Sequence, residues 1–326
     1  MKVFVAGASG AIGRHLVPLL VAGGYEVVAM TRSPDKAESL RASGAEPVVA
    51  DGLDRVAVEQ AVMRAEPEVV IHQMTALTGA NSFKKFDHEF ATTNELRTKG
   101  TDHLLEAARR SGVRRFIAQS FGAWNYERTG SDLKTEEHPL DPRPPVNQTQ
   151  SQEAIRHLEG AVVGAEGVDG IALRYGFFYG PGTGLAVDGD IVKLVLKRRL
   201  PIVGDGAGVW SFIHIKDAAL ATIAAVEGGS RGIYNIVDDE PAPVAVWLPE
   251  LARVLGAKPP RRIPIWLGRI PIGEVGISMM TQIRGMSNAK ANRELGWQPT
   301  YKSWRDGFRN GLGNASPAPT RDGRLR

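Results

Sequence analysis

The chain has 326 residues, 43% of them hydrophobic and 23% charged, with no cysteine and a formal charge of +4. The missing cysteines exclude disulfides, thiolate nucleophiles and cysteine-ligated metal sites. No apolar run reaches the length of a membrane-spanning helix, and the N-terminal residues do not resemble a signal peptide. We therefore expect a cytoplasmic enzyme or binding protein without stable membrane insertion.

The positive charge is local. Residues 251–273 carry five cations and no acid. A second basic segment, residues 315–326, carries three arginines and one aspartate. The rest of the chain is therefore slightly acidic. Nucleic-acid binding requires a broad basic face, so we expect no nucleic-acid partner.

The first half of the chain alternates short apolar segments with helical patterns. The predicted strands are Lys2–Ala6, Glu26–Met30, Pro47–Ala50, Glu68–His72, Arg115–Gln119 and Gly170–Leu173. The predicted helices are Ala11–Ala22, Lys36–Ala42, Arg55–Arg64, Asn94–Arg110 and Gln152–Val163. Short apolar strands separated by helices predict an α/β fold, a doubly wound parallel sheet of the Rossmann type.

The second half predicts a smaller substrate lobe. Gly122–Asn147 is polar and contains four prolines, which predicts a long loop. Further on we predict a strand at Ile233–Val237, helices at Val244–Leu255 and Asn288–Leu295, and a proline-containing apolar segment at Pro259–Met286. We assign residues 1–175 and 205–230 to the nucleotide-binding domain, residues 176–204 and 231–313 to the lobe, and residues 314–326 to a disordered tail.

A glycine-rich loop joins the first strand to the first helix. Gly7 permits a tight turn, Gly10 lets the backbone approach a pyrophosphate at the helix N-terminus, and Gly13 permits close packing. This context predicts a dinucleotide site, although a tight turn without a ligand has the same spacing. The residues expected to contact the cofactor are Gly7, Ser9, Gly10, Ala11, Ile12 and Gly13.

The end of the second strand bears on the choice of nucleotide. A carboxylate there would bind the ribose 2′-hydroxyl, whereas a cation accommodates a 2′-phosphate. The chain reads Met-Thr-Arg-Ser at residues 30–33, with no acid before Asp35. Arg32 therefore favours NADP(H), with NAD(H) left open, since Arg32 could also stack on adenine or face solvent.

Several motifs resemble those of a known superfamily. The glycine spacing resembles that of short-chain dehydrogenase/reductases. The segments at residues 173–182 (LRYGFFYGPG), 210–219 (WSFIHIKDAA), 232–236 (GIYNI) and 295–299 (LGWQP) are similar to those of the extended branch, the NAD(P)-dependent epimerase/dehydratases. This resemblance covers residues 1–313. It implies further cofactor contacts at Asp51, Leu53, Met74, Thr75 and Ala76, and at Tyr175 and Phe177 near the nicotinamide.

The family's acid–base centre is incomplete in this chain. The family places a Ser or Thr after the fifth strand and a Tyr-x-x-x-Lys dyad on the next helix, where the Tyr acts as the proton acceptor. Ser120 occupies the serine place, where it would bond the reacting oxygen. Ser151 and Ile155 align with the dyad, and a shift of one residue gives Gln152 and Arg156. Neither alignment supplies Tyr or Lys.

Three explanations of this absence stay open. Another group supplies the acid–base function: Tyr126 from the long loop is one candidate, and Glu127, His138 and His157 are others. Alternatively, the reaction needs little proton transfer from a side chain, as in the reduction of an activated double bond. The third explanation is a protein that binds the cofactor as a sensor or interaction module without turnover.

The substrate is expected to be a small organic molecule. Trp210 stands where nucleotide-sugar enzymes of the family carry an arginine for the substrate diphosphate, and an indole cannot replace that cation. Pro259–Met286 suits either a lid over a more apolar substrate or ordinary lobe core, and an amphipathic membrane contact is a weaker alternative. No metal-binding spacing is present, so we expect no metal. We hypothesise an NAD(P)-dependent oxidoreductase or epimerase/dehydratase-like enzyme, with a homodimer left open.

Overall fold

A seven-stranded parallel sheet forms the centre of the protein. The computed structural model describes residues 1–77 and 83–313. The sheet strands are β1 (Lys2–Ala6), β2 (Glu26–Thr31), β3 (Glu46–Val49), β4 (Val69–His72), β5 (Arg115–Phe121), β6 (Asp169–Tyr175) and β7 (Gly232–Ile236). Their order across the sheet is β7-β6-β5-β4-β1-β2-β3. The predicted doubly wound α/β fold is confirmed.

The residue register brings the ends of four strands together. Ala6 pairs with Met30 of β2 and with His72 of β4, and His72 pairs in turn with Ala118 of β5. The carboxyl ends of β1, β2, β4 and β5 therefore meet at one edge. Open α/β sheets bind their ligands at such an edge, where the strand order reverses.

Helices cover both faces of the sheet. The helices are α1 (Gly13–Ala22), α2 (Ala37–Ala42), α3 (Arg55–Ala65), α4 (Phe86–Glu89), α5 (Ala91–Glu95), α6 (Thr101–Arg110), α7 (Thr149–Val163), α8 (Asp190–Leu196), α9 (Ile215–Glu227), α10 (Val244–Val254), α11 (Ile265–Thr281), α12 (Ala289–Leu295) and α13 (Trp304–Asn310). Buried apolar residues of α1, α9 and α12 form the core on one face, and those of α3, α6 and α7 form it on the other.

The helix predicted over Asn94–Arg110 differs in detail. The helical segment begins earlier, at Ala91, and a π-helical turn at Leu96–Gly100 separates α5 from α6. One extra residue in such a turn changes which side chains face the core without ending the helix, so apolar spacing alone did not reveal it.

The C-terminal half builds a third core from α8, α10, α11 and α13 with short strand pairs. The strand expected at Ile233–Val237, which the sequence pattern assigned to the lobe, instead lies in the main sheet as β7, paired with β6. Its apolar residues complete the core beneath α9 and α12. The division into two domains otherwise stays a prediction.

Two other parts of the chain bear on the predictions. Between Gly122 and Asn147, the predicted loop contains only a two-residue strand, Leu133–Lys134, before a 3-10 turn begins at Val146. The tail predicted at residues 314–326 lies outside the described residues. Within the described ranges, no helix is both long enough and apolar enough to cross a membrane.

Candidate functional site

A cleft runs along the carboxyl edge of the sheet. It is lined by the predicted residues Gly7, Ser9, Gly10, Ala11, Ile12, Arg32, Asp51, Leu53, Met74, Thr75 and Ala76, together with Arg14, Lys36, Gln73, Gln119 and Phe178, among others. Four separate loops thus converge at the strand ends. A second groove, of about 520 Å³, lies between α3, α6 and α7, away from this edge and from the glycine loop.

The glycine loop at the cleft has a geometry that only glycine permits. Gly7 has φ +87°, and a Cβ atom there would lie 2.6 Å from the Gln73 carbonyl carbon. At Gly13 a Cβ would lie 2.2 Å from the carbonyl oxygen of Ala8, so its close contact is with the loop itself. The two glycines thus keep the loop close to Gln73 and to itself at the N-terminus of α1, the kind of position at which phosphate groups bind in proteins.

Three cations line the cleft, and one of them, Arg32, directly follows β2. Arg32 is exposed at the cleft, and Arg14 and Lys36 line it as well. Ser9 and Thr31 are joined by a hydrogen bond of 2.8 Å between their hydroxyl oxygens, beside Arg32. Three cations, with Asp51 as the carboxylate among the lining residues, suit a ligand with several phosphates.

The segment after β4 is held in place by two buried side chains. His72 Nδ1 accepts a hydrogen bond of 3.1 Å from the Met74 amide, and Thr93 Oγ1 accepts one of 3.0 Å from the Ala76 amide. Burial lowers the pKa of His72 to about 4, so its ring is neutral near pH 7. These contacts fix the backbone that the resemblance assigns to the cofactor.

Two residues expected near the nicotinamide are turned away from the cleft. Tyr175 is fully buried, its hydroxyl lies 2.7 Å from Thr222 Oγ1, and burial raises its pKa to about 12. Phe177 stacks on Trp210 with ring centroids 3.7 Å apart. Phe178 lines the cleft instead, because side chains alternate along the extended backbone between the two faces.

Ser120 likewise does not reach the cleft. It is fully buried and donates a hydrogen bond of 2.6 Å to Glu159 Oε1. Glu159 also accepts two hydrogen bonds from Arg174, at 2.7 and 2.6 Å. The neighbouring Gln119 lines the cleft, since it points to the opposite face of β5. The geometry therefore does not support the predicted contact between Ser120 and the reacting oxygen.

Tyr126 belongs to the same buried network. Its hydroxyl donates to Asn235 Oδ1 at 2.7 Å and accepts from Arg174 Nη1 at 2.8 Å. Only 2% of the residue is exposed, and burial raises its pKa to about 12. A phenol with both hydrogen-bonding positions occupied and a raised pKa is not a proton acceptor near neutral pH, so the geometry does not support Tyr126 as an acid–base group.

The places of the missing dyad are closed. Ser151 is fully buried, and its backbone N–H and hydroxyl both donate to Asp87 Oδ1, at 2.8 and 2.6 Å. Ile155, one turn later on α7, is fully buried in a core cluster that includes Phe86, Phe90 and Trp124. Aromatic packing therefore surrounds the position where the family carries a lysine.

The alternative alignment leads to the same result. Gln152 is fully buried, and its side-chain amide donates to the Asp141 carbonyl. Arg156 is exposed and donates to that same carbonyl at 2.7 Å. Neither residue is among those that line the cleft.

The remaining predictions concern the substrate side and metals. Trp210 is buried, and its indole N–H donates to the Met279 carbonyl at 2.8 Å, so it acts as lobe core. In the described ranges, no three His, Asp or Glu side chains are grouped as metal ligands would be. Gln73, Gln119 and Phe178, which lie at or beyond the ends of β4, β5 and β6, bring no charged group to the cleft lining.

Sequence reasoning missed several lining residues. Arg14 and Lys36 carried no motif, because their approach to the cleft depends on how α1 and the turn before α2 pack. Gln119 could have been found from strand alternation, since an inward Ser120 requires an outward Gln119. The family motif includes the serine, and no motif marks its neighbour.

The fold and the cleft define a dinucleotide-binding protein of the Rossmann class. The sequence profile of the NAD dependent epimerase/dehydratase family matches residues 3–237, and the chain belongs to that family. The chain is 45% identical to the 3-diazoavenalumate denitrifying reductase of a Streptomyces species, over 94% of this chain and 99% of that protein.

Other relatives are more distant. A ketoreductase of Stigmatella aurantiaca, which acts on a 4-farnesyl-dihydroquinoline-1-oxide, is 26% identical over 95% of this chain and 96% of its own. The UDP-glucose 4-epimerase of Thermus thermophilus, solved with NAD, is 25% identical with a TM-score of 0.72, covering 96% of this chain and 98% of that one. The chain is an NAD(P)-dependent enzyme of the oxidoreductase and epimerase type, with a small-molecule substrate.

Proposed function

We propose that this enzyme is an NADPH-dependent reductase that delivers hydride to an aromatic diazo compound and releases dinitrogen. The observation that carries the proposal is that the cleft is lined by Gln119 and Phe178, while Ser151 and Ile155, which replace the family's Tyr and Lys, are buried outside it. An amide and a phenyl ring form hydrogen bonds and apolar contacts but do not exchange protons near neutral pH.

The substrate class follows from what such a site can do. A diazonium group carries positive charge on its nitrogens and accepts hydride at the terminal nitrogen without a proton from the protein. The resulting diazene then loses N₂ as its carbon–nitrogen bond breaks, leaving hydrogen on the carbon. Ketone reduction, in contrast, needs a proton on the oxygen, which a general acid normally provides. The relative at 45% identity is named for a diazo substrate, which supports this choice.

The chain's own residues would bind the cofactor as follows. The loop Gly7–Gly13 would cradle the pyrophosphate, and Arg32 with Lys36 and Arg14 would surround the 2′-phosphate side. Met74–Ala76, held by His72 and Thr93, would contact the cofactor's middle part. When bound, the nicotinamide supplies the hydride. Phe178 would pack against the flat ring system and exclude water.

The reaction is tested by following NADPH consumption with a panel of substrates. The panel contains an aromatic diazonium salt, a quinone diazide, an enone and a simple aryl ketone, and evolved N₂ is measured by mass spectrometry. The proposal expects turnover with the diazo compounds and one N₂ for each NADPH. Efficient reduction of the ketone, with no N₂ from either diazo compound, would contradict it.

The preference for NADP(H) is tested separately at Arg32. Arg32→Ala removes a bidentate phosphate partner, so we expect NADPH affinity to fall about tenfold or more while NADH affinity stays nearly unchanged. Exposed Arg64 on α3 provides the control substitution, Arg64→Ala. An equal loss of affinity for NADPH and NADH, or an unchanged preference for NADPH, would contradict the assignment of Arg32 to the 2′-phosphate. The homodimer left open by the sequence stays a prediction, which sedimentation tests.

A further inference from the structure

A cluster of apolar side chains is exposed on the first turns of α11. Trp266 is 71% exposed, Ile270 64%, Ile265 43% and Leu267 41%. These four residues form the α11 patch. Exposed apolar residues are normal when scattered singly, whereas a contiguous group within six residues marks an interaction surface.

The patch faces outward for a structural reason. Gly273, with φ +65°, breaks α11, and the residues after the break from Val275 to Met280 are buried in the lobe core. Before the break, Gly268 packs against the lobe: a Cβ there would lie 2.7 Å from a methyl group of Val203. Ile265 also touches the lobe, since a Cβ at Gly204 would lie 3.0 Å from its Cγ1 atom, whereas Trp266 and Ile270 are the most exposed large apolar side chains of these turns.

Cations lie beside the patch on two connected segments. The strand Ile202–Val203 pairs with Arg262–Ile263, and Arg198 Nε donates to the Pro259 carbonyl at 2.8 Å. These bonds bring residues 196–199 next to residues 258–270. We call the two segments together the basic–apolar face. It also includes Leu196, which is 51% exposed.

Most of these cations have no acidic partner. Within the described ranges, Arg269 pairs with Glu274, while no carboxylate lies within ion-pair distance of Lys197, Arg198, Arg199, Lys258, Arg261 or Arg262. The side chains of Lys197, Arg261 and Arg262 are exposed. A face with six unpaired cations, on a chain whose total formal charge is only +4, is complementary to an anionic surface.

We propose that the basic–apolar face docks on an anionic lipid surface, with Trp266 and Ile270 entering the interfacial region. A second copy of the chain is disfavoured, because a two-fold contact through this face would oppose like charges. A nucleic acid would pair the cations but leave five apolar side chains in water. Interfacial Trp with flanking Arg and Lys suits anionic headgroups above an apolar boundary.

The test uses tryptophan fluorescence, because the exposed tryptophan, Trp266, lies on this face and its emission responds to binding there. Trp266 is 71% exposed, while the other five tryptophans are at most 6% exposed. Vesicles of phosphatidylcholine with phosphatidylglycerol are added to the full chain, and binding is measured by co-sedimentation. We expect binding with a blue shift, weakening as salt is raised, and little binding to phosphatidylcholine alone.

Variants separate the two parts of the face. Arg261→Gln with Arg262→Gln should weaken binding to the anionic vesicles about thirtyfold. Trp266→Phe should keep binding but abolish the blue shift, and Trp266→Ser with Ile270→Ser should lose most binding. The matched control is Val56→Ser with Arg64→Gln on α3, where Val56 is 62% exposed. Melting temperature should stay nearly unchanged in every variant because these side chains are exposed, and NADPH affinity should be unchanged because none of them lines the cleft.

Three results would overturn the proposal. The first is no binding to anionic vesicles at low salt. The second is binding without a blue shift, which would mean electrostatic adsorption alone. The third is concentration-dependent self-association, or a blue shift with an acidic polypeptide but not with vesicles, which would assign the face to a protein partner. Each of these results leaves the proposed reductase activity untouched.

Discussion

Ser120 shows how one side chain's direction separates a structural role from a chemical one. Its hydroxyl ends a buried chain of hydrogen bonds that runs through Glu159 and Arg174 to Tyr126. Glu159 and Arg174 are both about 5% exposed at their side chains, so their charges depend on one another. Removing one partner of such a pair leaves a buried charge uncompensated.

We therefore expect Ser120→Ala to affect stability rather than chemistry. The lost hydrogen bond to a charged acceptor should lower the free energy of unfolding by about 1.5–3 kcal/mol. NADPH affinity and kcat should change less than about threefold, because the side chain faces away from the cleft. Urea unfolding and steady-state kinetics check the two effects. A large loss of kcat with unchanged stability would restore Ser120 to the chemical site.

His72 gives the fold a pH dependence at the residue scale. Its neutral ring accepts from the Met74 amide, and burial holds its pKa near 4 in the folded protein against 6.5 ordinarily. Because the folded pKa is the lower one, this contribution to stability is fully present above about pH 6.5. It is lost as pH falls from there towards 4, by about 3 kcal/mol in all.

The measurement compares urea unfolding of the wild type and His72→Asn at pH 7.5 and 4.5. Asparagine can accept the Met74 N–H without titrating, so the variant should lose less stability on acidification. Groups common to both proteins cancel in the difference. Equal losses in the two proteins would show that His72 is not responsible.

At the scale of elements, the N-terminus of α7, the helix on which the family carries its dyad, is capped by a side chain from another segment. Asp87, from α4, accepts from the backbone N–H groups of Gln150 and Ser151 at 3.0 and 2.8 Å. It thus caps the N-terminus of α7 from a distant segment, where negative charge also meets the helix dipole favourably. The helix that carries the acid–base pair in the family is held here as a structural element.

Replacing this cap should cost stability alone. We expect Asp87→Ala to lower the free energy of unfolding by about 1–2 kcal/mol, and Asp87→Asn by less, since the amide oxygen still accepts. NADPH affinity should stay the same, because Asp87 is outside the cleft lining. Calorimetry with and without NADPH checks both statements. A loss of cofactor affinity in Asp87→Asn would contradict the purely structural role.

The elements were predictable to different degrees. The strands of the first half follow from short apolar segments, and β1, β2 and β4 end within one residue of expectation. The π-helical turn before α6 and the break at Gly273 follow from tertiary packing, which local spacing does not report. The apolar segment at Pro259–Met286 combined two roles, an exposed patch and a buried core, that composition alone could not separate.

For the whole molecule, the sequence predicted the sheet, the glycine loop and the missing dyad. It could not show which face of β5 met the cleft. One residue of register decides whether Ser120 or Gln119 lines the site, and the motif favoured the serine. The charge distribution was likewise visible in the sequence, but the pairing of Ile202–Val203 with Arg262–Ile263, which brings Arg198 to the Pro259 carbonyl, required the fold.

Hydride transfer without a side-chain acid is the central claim about this enzyme. The direct test is the pH profile of kcat for a diazo substrate, measured with NADPH and with NADPH deuterated at the transferred position, in H₂O and D₂O. We predict a flat profile between about pH 6 and 9, a primary isotope effect from the cofactor and a solvent isotope effect near one. A bell-shaped profile with a large solvent isotope effect would contradict the claim, because it would require a proton-donating residue in the transition state.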